Sequence, residues 1–308
     1  MRQEFFYPSK GAGQIHGIRW VPEVEIKAVV QIVHGIAEFA ARYDEFARYL
    51  NSLGFLVVAE DHMGHGGSLD NGGTRGYFDG GWNAAVADTV QLLQDTRKQY
   101  PNVPCILFGH SMGSFMARTI LCDYPDLDLA AAVICGTGWM PPAVIKVGVG
   151  TAKLICRITD ERKPNEQLNS IIFGGYNKRV EHPRTASDWL SRDNAIVDAY
   201  VAHPLCGFTA SAGLLRDMIG GMAYVQKNEN LARMDKKLPV LFLAGGDDPV
   251  GGYGEGVRAA AKAFSDSGME RVDVKIYPLC RHEVLNEINR QEVFEETAAW
   301  MLRSLEEK

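Results

Sequence analysis

Several things are scarce in this chain of 308 residues. There is no Cys-x-x-Cys pair: the six cysteines stand singly at 105, 122, 135, 156, 206 and 280. Zinc and redox motifs use paired thiols, so neither has support, and the six are expected to be reduced core thiols. No apolar run approaches the ~18 residues of a membrane span. The opening stretch MRQEFFYPSKGAG has neither an apolar centre nor a small-residue cleavage pattern, so no signal peptide and a cytoplasmic location are expected. Positive charge is short as well. There are 32 Lys and Arg against 38 Asp and Glu, a net −6, with no basic cluster. A nucleic-acid partner needs such a cluster and is not expected. No internal repeat or low-complexity segment is present.

What the chain does have is apolar sequence in short pieces. Hydrophobic residues make up 46% and charged ones 23%, the balance of a packed globule. Runs at 28–33, 55–59, 105–108, 131–135 and 240–244 are nearly continuous and end in small or acidic residues. Such runs are strands buried on both faces, as in a parallel sheet. Helical patterns at 42–53, 83–100, 112–123, 254–267 and 290–306 separate them, with a further strand at 272–277. This alternation predicts an α/β fold with a doubly wound, mostly parallel sheet. The stretches 3–8 and 15–22, with Gly11 and Gly13 between them, predict an N-terminal antiparallel hairpin. From 139 to 208 the rhythm stops: there are Pro141-Pro142, polar loops around 159–169 and a helical stretch near 185–202. The chain therefore divides into a core of 1–138 and 209–308 and an inserted helical cap of 139–208.

In such sheets, catalytic groups gather at the carboxyl ends of strands. There stands Gly109-His110-Ser111-Met112-Gly113, which fits G-x-S-x-G between a strand and a helix. The turn is too tight for side chains at Gly109 and Gly113, and it exposes the Ser111 hydroxyl. It also sets the N–H of Met112 at a helix N-terminus, where a developing oxyanion is favoured. A hydroxyl needs a base, and the expected order is Ser, acid, His. Of eight histidines only His282 lies beyond the strand ending at Ala244, in a loop between a strand and a helix. The alternative, a surface-loop histidine with no role, is disfavoured by the chain order. Two carboxylates compete for the acid, Asp247 and Asp248, with Asp248 preferred because Pro249 stiffens the turn after it. The second oxyanion N–H belongs in the loop after an early strand, where His34-Gly35-Ile36 places that of Ile36; His34 could simply satisfy nearby backbone.

Together these residues resemble the α/β-hydrolase superfamily, and within it the monoacylglycerol lipase and lysophospholipase branch, often labelled serine aminopeptidase-like. The matching stretches are His34-Gly35-Ile36-Ala37-Glu38 with Arg42-Tyr43, Asp61 to Ser68, Gly109 to Gly113, Gly246 to Val250, and Arg281 to Glu287. They span nearly the whole chain, the 139–208 insertion least. The resemblance implies Ser111 as nucleophile, Asp248 as acid, His282 as base, and Ile36 and Met112 as oxyanion donors, with the insertion as a cap over an acyl pocket. It implies no cofactor. Two positions depart from the pattern: Phe39 stands where a His is frequent and Ser114 where a second Gly is, and Phe39 is expected at the pocket rim.

Other motifs compete. Asp61-His62-x-x-His65 has a metal-like look, yet metal sites want a third ligand, and its glycines suit a structural loop. Gly148-x-Gly150 does not follow a strand, so it reads as cap packing rather than a dinucleotide loop. The segment 143–158 is apolar with Lys146, Lys153 and Arg157. It could touch a membrane surface transiently, but the favoured reading is a cap helix with its apolar side over the pocket. The leading expectation is a serine carboxylic-ester hydrolase acting on a medium or long acyl ester, such as a monoacylglycerol or lysophospholipid. A serine aminopeptidase is the alternative; it needs a cap acid for the substrate ammonium, with Glu161, Glu166 and Asp188 as candidates. A non-catalytic binding protein is a third.

Overall fold

The computed structural model describes residues 1–71 and 73–306. Gly72 and the last two residues of the expected core, Glu307 and Lys308, lie outside the described residues. Eight strands form one sheet: β1 (Arg2–Pro8), β2 (Gln14–Trp20), β3 (Ala28–Val33), β4 (Phe55–Glu60), β5 (Cys105–His110), β6 (Ala131–Cys135), β7 (Val240–Gly245) and β8 (Val272–Tyr277). Their order is β1-β2-β4-β3-β5-β6-β7-β8. β1 and β2 pair antiparallel, β2 joins β4 antiparallel, and every later pairing is parallel. The continuous apolar runs are the reason. All residues of β3, β4, β5, β6 and β7 are buried, so helices must cover both faces.

The helices are α1 (Asp44–Ser52), α2 (Gly81–Gln99), α3 (Met112–Asp123), α4 (Pro142–Ile158), α5 (Glu166–Phe173), α6 (Asn194–Ala202), α7 (Ala212–Tyr224), α8 (Asn228–Leu231), α9 (Glu255–Asp266) and α10 (Arg290–Glu306). One core layer holds α2, α3 and α9 residues such as Val86, Phe115 and Phe264 against one face of the sheet. The other holds Phe46 of α1 and Phe294 and Met301 of α10. α4 to α8 fall between β6 and β7.

The inserted segment departs from expectation in three places. The expected loop near 159–169 ends at Asn165, whose side chain accepts from the Leu168 N–H and starts α5. The helical stretch expected over 185–202 begins only at Asn194, because Asp193 caps the chain there through the Ala195 N–H. Only a short 3₁₀ turn, Asp188–Leu190, precedes it. And α4 does not lay its apolar side over a pocket. It packs on α7 through buried Ile145 and Ala152, with Gly148 in van der Waals reach of Ile219, while Val147, Leu154 and Ile158 are exposed by 69%, 59% and 74%. Cys156 on the same helix is half-exposed, so five of the six free cysteines, not all, are core thiols. Among the described residues no helix is long and apolar enough to cross a membrane.

Arg118 of α3 bridges the chain just before this segment and just after α7. It is fully buried and donates to Thr137 Oγ1 and the Gly138 carbonyl at one end (3.2 and 3.0 Å) and to the Val225 carbonyl at the other (3.2 Å). These acceptors are neutral, and burial lowers the guanidinium to about 10. Rings of Phe115, Trp139 and Phe264 surround it at 5.6–5.8 Å.

The sharpest local constraint is at the start of α3. Ser111 adopts φ 53°, ψ −122°, a conformation that side chains rarely take. α3 then leaves so close to β3 that a Cβ on Gly113 would collide with the carbonyl oxygens of Val33 and His34. A Cβ on Gly109 would stand 2.5 Å from the Gly113 carbonyl oxygen. The substitution Gly113→Ala is expected to lower unfolding free energy by about 2–3 kcal/mol, through overpacking against backbone that cannot yield. Urea denaturation of the two proteins checks this; an unchanged midpoint would show that α3 can shift.

Candidate active site

Ser111 follows β5 directly, and its N–H donates to the Cys135 carbonyl at 3.0 Å, locking the turn to β6. Ser114, where the family pattern has a glycine, donates its hydroxyl to the Ser111 carbonyl at 2.6 Å and braces the same turn. At the end of β7, Asp248 is completely buried, and its Oδ1 accepts from the Val250 N–H at 2.8 Å. Its Oδ2 lies 3.0 Å from Nδ1 of His282, which is 1% exposed. Asp247 is exposed, and its N–H serves the Cys280 carbonyl. Of the two competing carboxylates, therefore, Asp248 meets the imidazole. Ser111 and His282 both face one cavity of about 320 Å³.

The loop after β3 forms another wall. Gly35 and Ile36 line the cavity, and a Cβ on Gly35 would stand 2.9 Å from Ser111 Cβ, so only glycine lets the loop approach this closely. Met112 opens α3 immediately beyond Ser111. His34 is wholly buried. Its Nδ1 faces the Gly35 carbonyl at 2.7 Å and its Nε2 accepts the His62 N–H at 3.0 Å, so it shapes this loop rather than the cavity. Phe39 does not reach the rim: it lies against the His203 ring at 4.6 Å, outside the cavity.

Along the cavity runs an ionic network of Glu38, Arg42, His110 and Glu283, three of which (Glu38, His110 and Glu283) line it; the sequence alone assigned the network no role. Glu38 Oε1 accepts from the Gly35 N–H (2.5 Å) and the Tyr43 hydroxyl (3.0 Å), and lies 3.1 Å from His110 Nδ1. Arg42 donates to Glu38 Oε2 at 2.7 Å and, through both terminal nitrogens, to Glu283 at 2.6 Å each. Burial alone would raise the Glu38 carboxyl. The His110 hydrogen bond and the Arg42 charge outweigh it and hold Glu38 well below the usual carboxylate range. The His110 ring in turn sits 4.8 Å from that of His282, and Trp189 flanks His282 at 5.0 Å from another side. Glu38, Arg42, His110 and Glu283 adjoin or belong to the quoted motifs, which was their one signal in the sequence. Trp189 had none.

The stretch Asp61 to Ser68 is a structural loop. Asp61 takes up His16 Nδ1 (2.7 Å) and the N–H groups of Ala40 and Gly67 (2.7 and 2.8 Å), while His62 Nε2 and His65 Nδ1 face the carbonyls of His34 and Met63. Of Glu161, Glu166 and Asp188, only Glu166 lines the cavity. Glu161 pairs with Arg216, and Asp188 accepts from Arg184 and Thr185. The cavity wall is mixed: Phe173, Trp189 and Phe208 on the apolar side, and Asn169, Ser170 and Asn177 on the polar side.

A strained serine elbow, a buried Asp–His pair and a mostly parallel sheet with an antiparallel N-terminal hairpin define an α/β hydrolase. A family model described as "Serine aminopeptidase, S33" matches residues 24–289, and the chain belongs to that family. It is similar to a monoacylglycerol lipase of Mycolicibacterium smegmatis, 29% identical over 99% of this chain and 98% of the relative. It is 38% identical to the monoglyceride lipase of Homo sapiens over 73% of this chain and 65% of that one. A thermostable carboxyl esterase from Bacillus coagulans, solved in complex with glycerol, superposes with a TM-score of 0.92 over 99% of both chains at 29% identity.

The histidines supporting the loop predict an acid weakness. Burial and the neighbouring His62 lower His65 to about 4, and burial lowers His34 well below its ordinary value. An unfolded histidine titrates near ~6.5, so between that and about 4 the unfolded chain binds the extra proton. Stability is then full above the upper value and is lost as pH falls, on the order of 3 kcal/mol for His65 alone. Urea midpoints measured across this window should fall, and His65→Gln should flatten the slope. A variant slope equal to that of wild type would assign the loss elsewhere.

Proposed function

We propose that the chain is a serine hydrolase of carboxylic esters in which Ser111 is the nucleophile, His282 the general base and Asp248 its carboxylate partner. That it hydrolyses esters rests on its family and relatives. The assignment of roles rests on one observation: a strained Ser111 and a His282 already paired to a buried Asp248 open onto the same cavity. In this reading the Ser111 hydroxyl attacks the ester carbonyl while His282 takes its proton, and the N–H groups of Ile36 and Met112 hold the oxyanion. The ester C–O bond breaks as His282 protonates the departing alcohol. Water, deprotonated by His282, then attacks the acyl-serine and releases the acid and free Ser111. Neither metal nor cofactor takes part. Residues 139–208 act as the cap, and the enzyme works in the cytoplasm.

The mixed wall supports an amphiphilic monoester. Phe173, Trp189 and Phe208 suit an acyl chain, and Asn169, Ser170 and Asn177 suit a hydroxylated head, as in a monoacylglycerol; a lysophospholipid is the larger relative of the same class. A serine aminopeptidase reading keeps one support, Glu166 at the cavity, though its Oε1 accepts from Thr209. The exposed apolar residues of α4, with Lys146, Lys153 and Arg157 beside them, support transient docking on an anionic lipid surface.

An ester panel tests the site. Wild type should hydrolyse monoacylglycerols and p-nitrophenyl esters of medium chain. Ser111→Ala should abolish turnover and fluorophosphonate labelling, and Asp248→Asn should cost about 10³–10⁴-fold in kcat. Asp247→Asn should leave kcat within about twofold, since its side chain faces solvent. Turnover of aminoacyl-naphthylamides but of no ester would favour the peptidase, and labelling that survives Ser111→Ala would remove the nucleophile. For the surface, sedimentation with phosphatidylglycerol vesicles should carry wild type down at low salt and leave Val147→Asp/Leu154→Asp in solution. Equal behaviour of the two would overturn that part.

A further inference from the structure

We propose that Arg281 is a positioning residue for the general base, tying His282 to the inserted segment so that the place of the imidazole depends on where that segment sits. The inference rests on the proposed role of His282. Residues 188–192 of the insertion run as a strap along the loop that carries His282. Two backbone bonds join them: the His282 N–H donates to the Trp189 carbonyl (3.3 Å) and the Glu283 N–H to the Leu190 carbonyl (2.8 Å). The first is long, and neither alone fixes the strap.

Arg281 closes the gap. Its Nη1 donates to the carbonyls of Asp188 (2.6 Å) and Ser191 (2.9 Å), one on each side of the two bonded residues. A cation donating to two carbonyls at these lengths is among the stronger hydrogen-bond arrangements. On its own side of the loop, the Arg281 N–H is anchored to Glu287 Oε1 at 2.7 Å, and Glu287 is wholly buried. Glu287 returns to the strap through Arg192, whose Nε donates to Oε2 at 2.9 Å. The Ser191 hydroxyl adds a bond to the Asn286 carbonyl at 2.8 Å. The strap also brings the Trp189 ring to His282. Arg281 touches neither the Asp248 carboxylate nor the His282 ring in any of these bonds, so it acts on the imidazole through the backbone.

Because the strap belongs to the insertion, the segment that walls the cavity and the loop that carries the base move as one piece. A displacement reaching residue 188 carries His282 with it. A ligand that orders the strap thereby also orders the base.

The test compares Arg281→Ala and Arg281→Lys with wild type on a small soluble ester. For Arg281→Ala, kcat should fall by about 10- to 100-fold, the scale set by misplacing a catalytic group by roughly an ångström, with KM within about twofold. Added guanidinium at non-denaturing concentration should recover part of kcat in the alanine variant and none in wild type, and lysine should restore part of it. Hydrogen exchange supplies a readout independent of activity: the amides of His282 and Glu283 should exchange faster in Arg281→Ala while those of β5 and β6 do not. Unchanged exchange at 282–283, or a kcat within twofold of wild type, would overturn the proposal. Faster exchange everywhere, with no rescue by guanidinium or lysine, would reduce Arg281 to general stability and overturn it too. If Ser111→Ala retains activity, the reading of His282 as base fails first, and exchange still decides whether Arg281 ties the strap.

Discussion

Arg42, held between two buried carboxylates, is the interaction on which the site depends. Glu38 belongs to the loop after β3 that presents Gly35 and Ile36; Glu283 follows His282 in the loop after β8. These loops are separated by most of the chain, and they leave strands of one sheet with β5, β6 and β7 between them. A guanidinium bound bidentately to one carboxylate and singly to the other fixes their mutual distance, because its donors are planar and rigid. Glu38 passes the constraint on to the Gly35 N–H and to His110, within the elbow. The loop of Gly35 and Ile36, the turn at Ser111 and the loop of His282 thus share one charged centre. Burial of that centre is costly unless every lone pair is used, and here Tyr43, His110 and Gly35 take up what Arg42 leaves.

The sheet and the elbow were legible in the sequence because both are written in local chemistry. A β-branched run bounded by turn residues reads as a buried strand, and Gly109 is required by backbone four residues on, at Gly113, whereas Gly113 answers to the distant carbonyls of Val33 and His34 and is legible only through the motif. α3 and α10 begin and end where their patterns say. The choice between Asp247 and Asp248 was a different matter. It depends on which carboxylate the turn after β7 faces inward, and adjacent residues on a turn differ in this without differing in composition. The network of Glu38, Arg42 and Glu283 lies deeper still: its residues are polar, and a polar residue in a loop reads as solvated until the fold shows it buried.

The insertion was the least legible part, and α4 shows why. An apolar helix in an enzyme cap invites the expectation that its apolar side covers the substrate. α4 instead packs Ile145, Gly148 and Ala152 towards α7 and leaves Val147, Leu154 and Ile158 outside. Amphipathic pattern reports that a helix has two faces, not what each face meets. The cavity takes its wall from α5 and from the strap around Trp189, and that wall mixes amides and hydroxyls with aromatic rings.

Arg118 bears on how such a fold can vary. Gly138, just after β6, and Val225, just after α7, converge on a single guanidinium. To the rest of the chain, everything between these points is a closed loop whose mouth is already fixed. The entropic penalty for lengthening a closed loop grows only with the logarithm of its length. The stretch between Gly138 and Val225 can therefore vary in length at small entropic cost while its two ends keep their places. Among the described residues no carboxylate pairs with this buried cation, so the clasp between the two points rests on carbonyl and hydroxyl oxygens alone.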